Sequence, residues 1–309
     1  MLQILVNTTL PVFSIILLGY VLKRRGLISP AFVGPANRLV YYVALPAMLF
    51  GTLVKAPFKE NFQLSAGMCL VISLGVLVGV ALVVSRLLKL ERGAKATFVQ
   101  TSFHGNIGFL AYAIAYYALG PENFPRTLIL STFLMIGQNV LSILVLSRLG
   151  TRLLHREHPW LYLVRQTLQN PVIISTVIGC LFSAIGLELP KALRQGLDIL
   201  SGLALPMALL LIGASLSFGM LQARMRELAW LGSLKLVGLP LVGYVVLRWV
   251  GVHDSLVLPA LILLAAPPAT VSYVMAAELG GDTRLAAASV SVFTLVSALS
   301  YSGLLALMK

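Results

Sequence analysis

Residues 267–272 read PPATVS, in the middle of an apolar run, DSLVLPALILLAAPPATVSYVMAAEL, that fills positions 254–279. The run is long enough to cross a bilayer core, which takes about 20 residues of helix. Two adjacent prolines remove two backbone donors and clash with the preceding turn, so a straight helix cannot run through Pro267 and Pro268. A spanning segment breaks only where protein or a wet cavity shelters its freed polar groups. The stretch therefore predicts an interrupted helix with a site at its break.

The chain around this run is of the same kind. Of its 309 residues, 59% are hydrophobic and 11% charged, and the mean hydropathy is +0.95. Soluble domains carry about 25% charged residues, so the bilayer is the solvent that fits. We read predicted helices at 3–22, 33–54, 62–88, 94–119 and 125–147, then at 166–186, 193–217, 227–250, 254–279 and 283–307. The expected fold is all-α and polytopic, with ten transmembrane helices. The start, MLQILVNTTLPVF, lacks a basic region and a cleavage site, and is expected to be a retained span. Cys69 and Cys180 lie within apolar runs and are expected to be buried free thiols.

A formal charge of +13 would suit a nucleic-acid binder, but the cations sit in short loops between apolar runs. Loops of one parity hold Lys23, Arg24, Arg25, Arg86, Lys89, Arg92, Arg148 and others; those of the other parity hold roughly half as many. This is the bias that orients membrane proteins, with the basic side cytoplasmic. Both termini are then expected on the outer side, and no nucleic-acid partner is expected.

The chain also repeats itself. At a shift of 160 residues, Pro11 falls on Pro171, Gly19 on Gly179, Gly26 on Gly186, Ala44-Leu45-Pro46 on Ala204-Leu205-Pro206, and Leu119-Gly120 on Leu279-Gly280. Matched prolines and glycines are telling in a chain where leucine on leucine is not. The halves are expected at 1–150 and 166–309, joined by a cytoplasmic linker at 151–165. Five helices per half is an odd number, so the second half enters from the opposite face. Inverted repeats of this kind belong to secondary transporters, with substrate at the repeat interface.

Predicted helix 4 carries the counterpart of the proline break, His104-Gly105-Asn106-Ile107-Gly108. Gly105, Gly108, Pro267 and Pro268 are the expected helix-breaking residues. Half-helix N-termini offer partial positive charge to an anion without placing a formal charge in the membrane. Small residues packing helix against helix are the plain reading of Gly105 and Gly108. Asn106, Gln138 and Asn139 are deep amides, able to hold a carboxylate or to join helices. Tyr112, Tyr273, Thr270 and Ser272 are candidates for lining the same cavity. Lys235 lies inside predicted helix 8, and either serves the site or snorkels to the interface. Glu278, near the end of predicted helix 9, has a loop role or a coupling role; His104 is a structural histidine or a proton switch. No metal site and no cofactor are expected.

NRLVYYVALPAML (37–49), GNIGFLAYAIAYYALG (105–120), Gln138-Asn139, LKLVGLPL (234–241) and PPATVSYVMAAELGGD (267–282) together resemble the auxin efflux carrier family, over nearly the whole chain. The resemblance implies the bile acid/auxin carrier-like fold, with two inverted five-helix repeats and broken helices 4 and 9 crossing. It implies a scaffold domain of helices 1–2 and 6–7, dimerising through helices 2 and 7, and a transport domain of helices 3–5 and 8–10. It implies an anion-binding role for Asn106, Gln138 and Asn139; Tyr112, Ala113, Thr270, Val271, Ser272 and Tyr273 complete the expected substrate-binding residues. Ala111 and Ala113 stand where the family pattern has Gly and Pro, and Ser272 where the plant-type proline falls. The long hydrophilic loop of plant members is missing, as in a prokaryotic carrier of the cytoplasmic membrane.

The expected function is elevator-like transport of small organic anions such as malonate, malate or auxin-like acids. A sodium-coupled bile-acid-type symporter would need acidic Na⁺ ligands beside the break, and none is visible there. A sensor that binds without transporting is the alternative outside transport. An intramembrane protease would need HExxH or paired aspartates, which the spans lack.

Overall fold

The computed structural model describes residues 8–151, 165, 167–217 and 224–308, and every regular element among them is helical. In order these are α1 (Leu10–Arg24), α2 (Pro30–Val54), α3 (Leu64–Leu87), α4 (Arg92–Phe103), α5 (Ile107–Leu119) and α6 (Phe124–Leu149). Then come α7 (Pro171–Ala184), α8 (Lys191–Ser215), α9 (Met225–Val250), α10 (Asp254–Leu264), α11 (Val271–Leu279) and α12 (Thr283–Met308).

Among the described residues, six helices are long and apolar enough to cross a membrane: α2, α3 with the turn Phe58–Asn61 ahead of it, α6, α8, α9 and α12. Predicted helix 4 is α4 plus α5, and predicted helix 9 is α10 plus α11. The breaks leave α4 with 12 residues and α10 with 11, too few for a bilayer. Predicted helices 1 and 6 correspond to α1 and α7; residues 1–7 and 166 lie outside the described residues. So does the predicted linker, apart from Thr151 and Arg165.

Local chemistry sets the helix limits. Ser29 Oγ accepts from the Phe32 N–H, and Asn170 Oδ1 accepts from the Val172 and Ile173 N–H groups. Pro30 and Pro171 follow these caps at the one helical position where a missing N–H costs nothing. α1 and α7 are followed by Gly26 (φ 79°) and Gly186 (φ 68°), α5 and α11 by Gly120 (φ 77°) and Gly280 (φ 74°). Each pair is related by the 160-residue shift. At that shift the limits of α3 and α9, of α4 and α10, and of α6 and α12 also agree to within one helical turn.

The helices pack as two compact units. One comprises Met1–Gln63, Gly108–Thr132 and Gln166–Leu216; the other comprises Leu64–Ile107, Phe133–Arg165 and Ser217–Lys309. In the first unit α1 packs on α8 and α7 on α2. A Cβ on Gly19 would fall on the Leu210 carbonyl oxygen, and one on Gly213 would fall on that of Ile16. The shift-related glycine, Gly179, is pressed on Leu53, whose Cβ a new methyl would meet at 2.9 Å, and on Phe50. Small residues let backbones touch where lipid provides no hydrophobic drive for association.

In the second unit α3 packs on α4 and α9, and α9 on α10. One end of it is tied by polar contacts. Thr151 donates its N–H (2.9 Å) and its hydroxyl (2.8 Å) to the Gly280 carbonyl, and the Asp282 N–H donates to Thr97 Oγ1 at 2.7 Å. The Asp282 carboxylate pairs with Arg224 at 2.6 Å.

Candidate functional site

The site is built where α4 and α10 stop, within the second unit. α4 ends at Phe103 because His104 turns extended, at φ −76° and ψ 106°. α10 ends at Leu264, and Pro267 and Pro268, having no N–H, cannot resume it. The two loose strands then satisfy each other. The Asn106 N–H donates to the Pro267 carbonyl at 2.7 Å, and Gly105 faces Pro268 as an isolated antiparallel bridge. A side chain at Gly105 would crowd the crossing, since its Cβ would lie 3.0 Å from Ala266 Cβ and 3.1 Å from Lys235 Nζ.

Side chains hold the break open. Gln138 on α6 accepts the Gly105 N–H at 3.0 Å, and its Nε2 donates to the Gly105 carbonyl at 3.4 Å. One side-chain amide thus reaches both polar groups of residue 105; the carbonyl also accepts from the Ile107 N–H at 3.0 Å, so it is the N–H that would be stranded without Gln138, at a cost of about 1–3 kcal/mol. His104 Nδ1 is 2.8 Å from Ser142 Oγ and the ring is buried. Gln100, wholly buried, points Nε2 at Ser142 Oγ (3.4 Å) and Ser272 Oγ (3.2 Å), while its Oε1 has no partner among the described residues.

Lys235 does not snorkel. It is 1% exposed, on a π turn at Ser233–Gly238, and Nζ donates to the Phe103 carbonyl at 3.0 Å and the Leu264 carbonyl at 3.4 Å. These are the final residues of α4 and α10, whose last carbonyls lack helical partners. The ammonium therefore bridges the negative ends of both half-helices.

Donors beside the break remain without a partner among the described residues. The Asn106 side-chain amide, on a residue 8% exposed, has no partner among the described residues. The N–H groups of Ala269 and Thr270, just past Pro267 at the start of α11, donate to no carbonyl among the described residues. Asn139 is half-buried.

The other expected residues are spread more widely. Ser272 is buried against Gln100, whereas Thr270, Val271, Tyr273 and Glu278 are exposed. Gly108, Tyr112 and Ala113 belong to the first unit. There Tyr112 is wholly buried, its hydroxyl 2.6 Å from Ser131 Oγ and its ring edge-on to Phe124, and Ala113 is buried beside it in sequence. That unit also has an open vestibule of about 680 Å³. Its lining mixes Lys55 and Arg126 with Glu60, Glu122 and Asp198, so it is not biased toward anions. Gln100 and Ser142 were not among the sequence candidates. Each stands four residues from one that was, His104 and Gln138; Gln138 and Ser142 share a face of α6, and the four-residue spacing was the available signal.

Apolar helices interrupted within their runs and joined backbone to backbone are a feature of membrane transporters. The chain belongs to the membrane transport protein family, that of the auxin efflux carriers, whose model matches residues 4–305. It is 28% identical over 305 residues to a protein of Rhizobium meliloti (strain 1021) described as a "putative malonate transporter", covering 97% of this chain and 94% of that one. It is 26% identical over 302 residues to an "uncharacterized transporter" of Methanothermobacter thermautotrophicus, covering 95% of each. A further "uncharacterized transporter", from Methanocaldococcus jannaschii, is 24% identical over 217 residues, 68% of each chain.

Proposed function

We propose that this protein is a secondary carrier of small carboxylates, of which malonate is the first to test. The observation that carries the reading is the crossing itself: the Asn106–Pro267 backbone bond at 2.7 Å, beside the Asn106 amide and the Ala269 and Thr270 N–H groups, which have no partner among the described residues. A carboxylate accepts from both kinds of donor, and the start of a helix favours its charge. Gln138 acts on the backbone at Gly105 and sets the shape of the break. Asn139 and Thr270 line the approach, with Val271, Ser272 and Tyr273 beside Thr270 on α11; Tyr112 and Ala113, in the other unit, are not assigned to this site.

In this reading residues 1–150 and 166–309 are two oppositely inserted copies, an account supported by the shared glycine turns and helix limits. The helices before α3 and those from α7 to α8 serve as scaffold and dimer contact, the rest as the moving part of an elevator. The protein sits in the cytoplasmic membrane of a prokaryote with both termini outside. The malonate assignment draws on the Rhizobium meliloti relative.

Counterflow of labelled malonate in proteoliposomes is the test. Saturable exchange that other short carboxylates inhibit is expected. Saturable binding to the purified protein without any flux would identify a sensor instead.

A further inference from the structure

We propose that the Lys235 ammonium is the resident cation of the crossing, filling from within the chain the place between two half-helix C-termini where a cation-coupled carrier takes a metal ion from solution. The inference deepens the carrier reading and rests on it for its consequence in transport, though not for its test.

Two helices end at this point, and each leaves carbonyl oxygens without helical partners. Such ends carry partial negative charge, and in carriers with interrupted helices they coordinate Na⁺ or H⁺. Here Nζ lies 3.0 Å from the Phe103 oxygen and 3.4 Å from the Leu264 oxygen, one from each half-helix. An ammonium has three donors, and these two carbonyls use two of them.

Among the described residues no carboxylate shares the place. The ion pairs of this unit, Arg224 with Asp282 and Arg248 with Asp254, leave Lys235 out. Among the described residues no group of His, Cys, Asp and Glu is suited to hold a metal ion. An incoming Na⁺ would meet an ammonium already seated on the oxygens it needs.

The seat is built for the lysine. Lys235 lies on a π turn at Ser233–Gly238, the kind of local widening that re-aims a side chain at functional sites. Gly105 leaves room for Nζ, since a methyl there would come within 3.1 Å of it. At the 160-residue shift the partner of Lys235 is Gly75, so only one half of the chain provides the charge. A buried cation lacking a carboxylate is costly, and a substrate anion beside Asn106 would complete its neutralisation. Transport should then need no co-transported metal cation.

The test is thermal unfolding of the purified full-length protein at constant ionic strength, in choline chloride, NaCl or ethylammonium chloride. The wild type is expected to melt at one temperature in all three. Lys235→Ala is expected to melt lower by roughly 5 °C or more in choline. Ethylammonium, which restores an ammonium to the emptied space, should recover most of that loss. Saturable stabilisation of the wild type by Na⁺ would overturn the proposal. So would a Lys235→Ala protein as stable in choline as the wild type, or one that ethylammonium does not restore. The wild-type arm decides by itself if Lys235→Ala does not fold. None of these readings uses substrate, so failure of the carrier reading would show separately, as absent malonate counterflow.

Discussion

Asn106 donates its backbone N–H across the break to Pro267 and leaves its side-chain amide without a partner among the described residues. Removing that amide should therefore cost binding and little else. A hydrogen bond to a charged group contributes about 1.5–3 kcal/mol, so Asn106→Ala should weaken malonate binding roughly 10- to 150-fold. Isothermal titration would show this, with the substrate-free melting temperature unchanged. Gln138 should behave in the opposite way. Gln138→Leu strands the Gly105 N–H, while the Gly105 carbonyl keeps the Ile107 N–H, and should lower the substrate-free melting temperature, whereas Gln138→Glu keeps an acceptor for the Gly105 N–H and should retain more of it. The sequence indicated depth and polarity at both positions but not this division of labour, because which partner an amide finds depends on a helix more than thirty residues away. Tyr112 illustrates the same limit: an aromatic in a span reads alike whether it lines a cavity or, as here, packs on Phe124 with its hydroxyl on Ser131.

Among the elements, the breaks were the most legible. Pro267 and Pro268 in succession remove two neighbouring backbone donors, which interrupts the helix where single prolines, such as Pro206 and Pro259, are carried inside α8 and α10. The opposite break needs no proline: His104 turns extended, Gly105 admits the facing chain, and the Pro267 carbonyl receives the Asn106 N–H. The alanines at 111 and 113 lie inside α5, beyond the interruption. Helix contacts were legible where a glycine marks them. Gly19→Ala and Gly213→Ala would each drive a methyl into a facing backbone carbonyl, and overpacking of this kind costs about 1–3 kcal/mol. Gly75→Ala meets nothing within 4 Å and should be neutral or slightly stabilising. Unfolding midpoints of the three variants in one detergent would separate these outcomes. The Lys55–Asp198 pair joins α8 to the segment just past α2 but is about half exposed at both ends, so Asp198→Asn should change stability by less than about 1 kcal/mol.

For the whole molecule, the class was legible from composition, because so much apolar surface has only the bilayer to face. The packing units were not, since helices distant in the chain gather into each unit and no composition shift marks where one gives way to the other. The account depends on a carboxylate resting at the crossing, between the Asn106 amide and the start of α11. The most direct measurement is a structure of the protein with bromomalonate, located by the anomalous signal of its bromine. A peak is expected where the carboxylate falls within hydrogen-bond reach of Asn106, and it should disappear in Asn106→Ala. A peak confined to the vestibule between Lys55 and Arg126, unchanged in Asn106→Ala, would contradict the account.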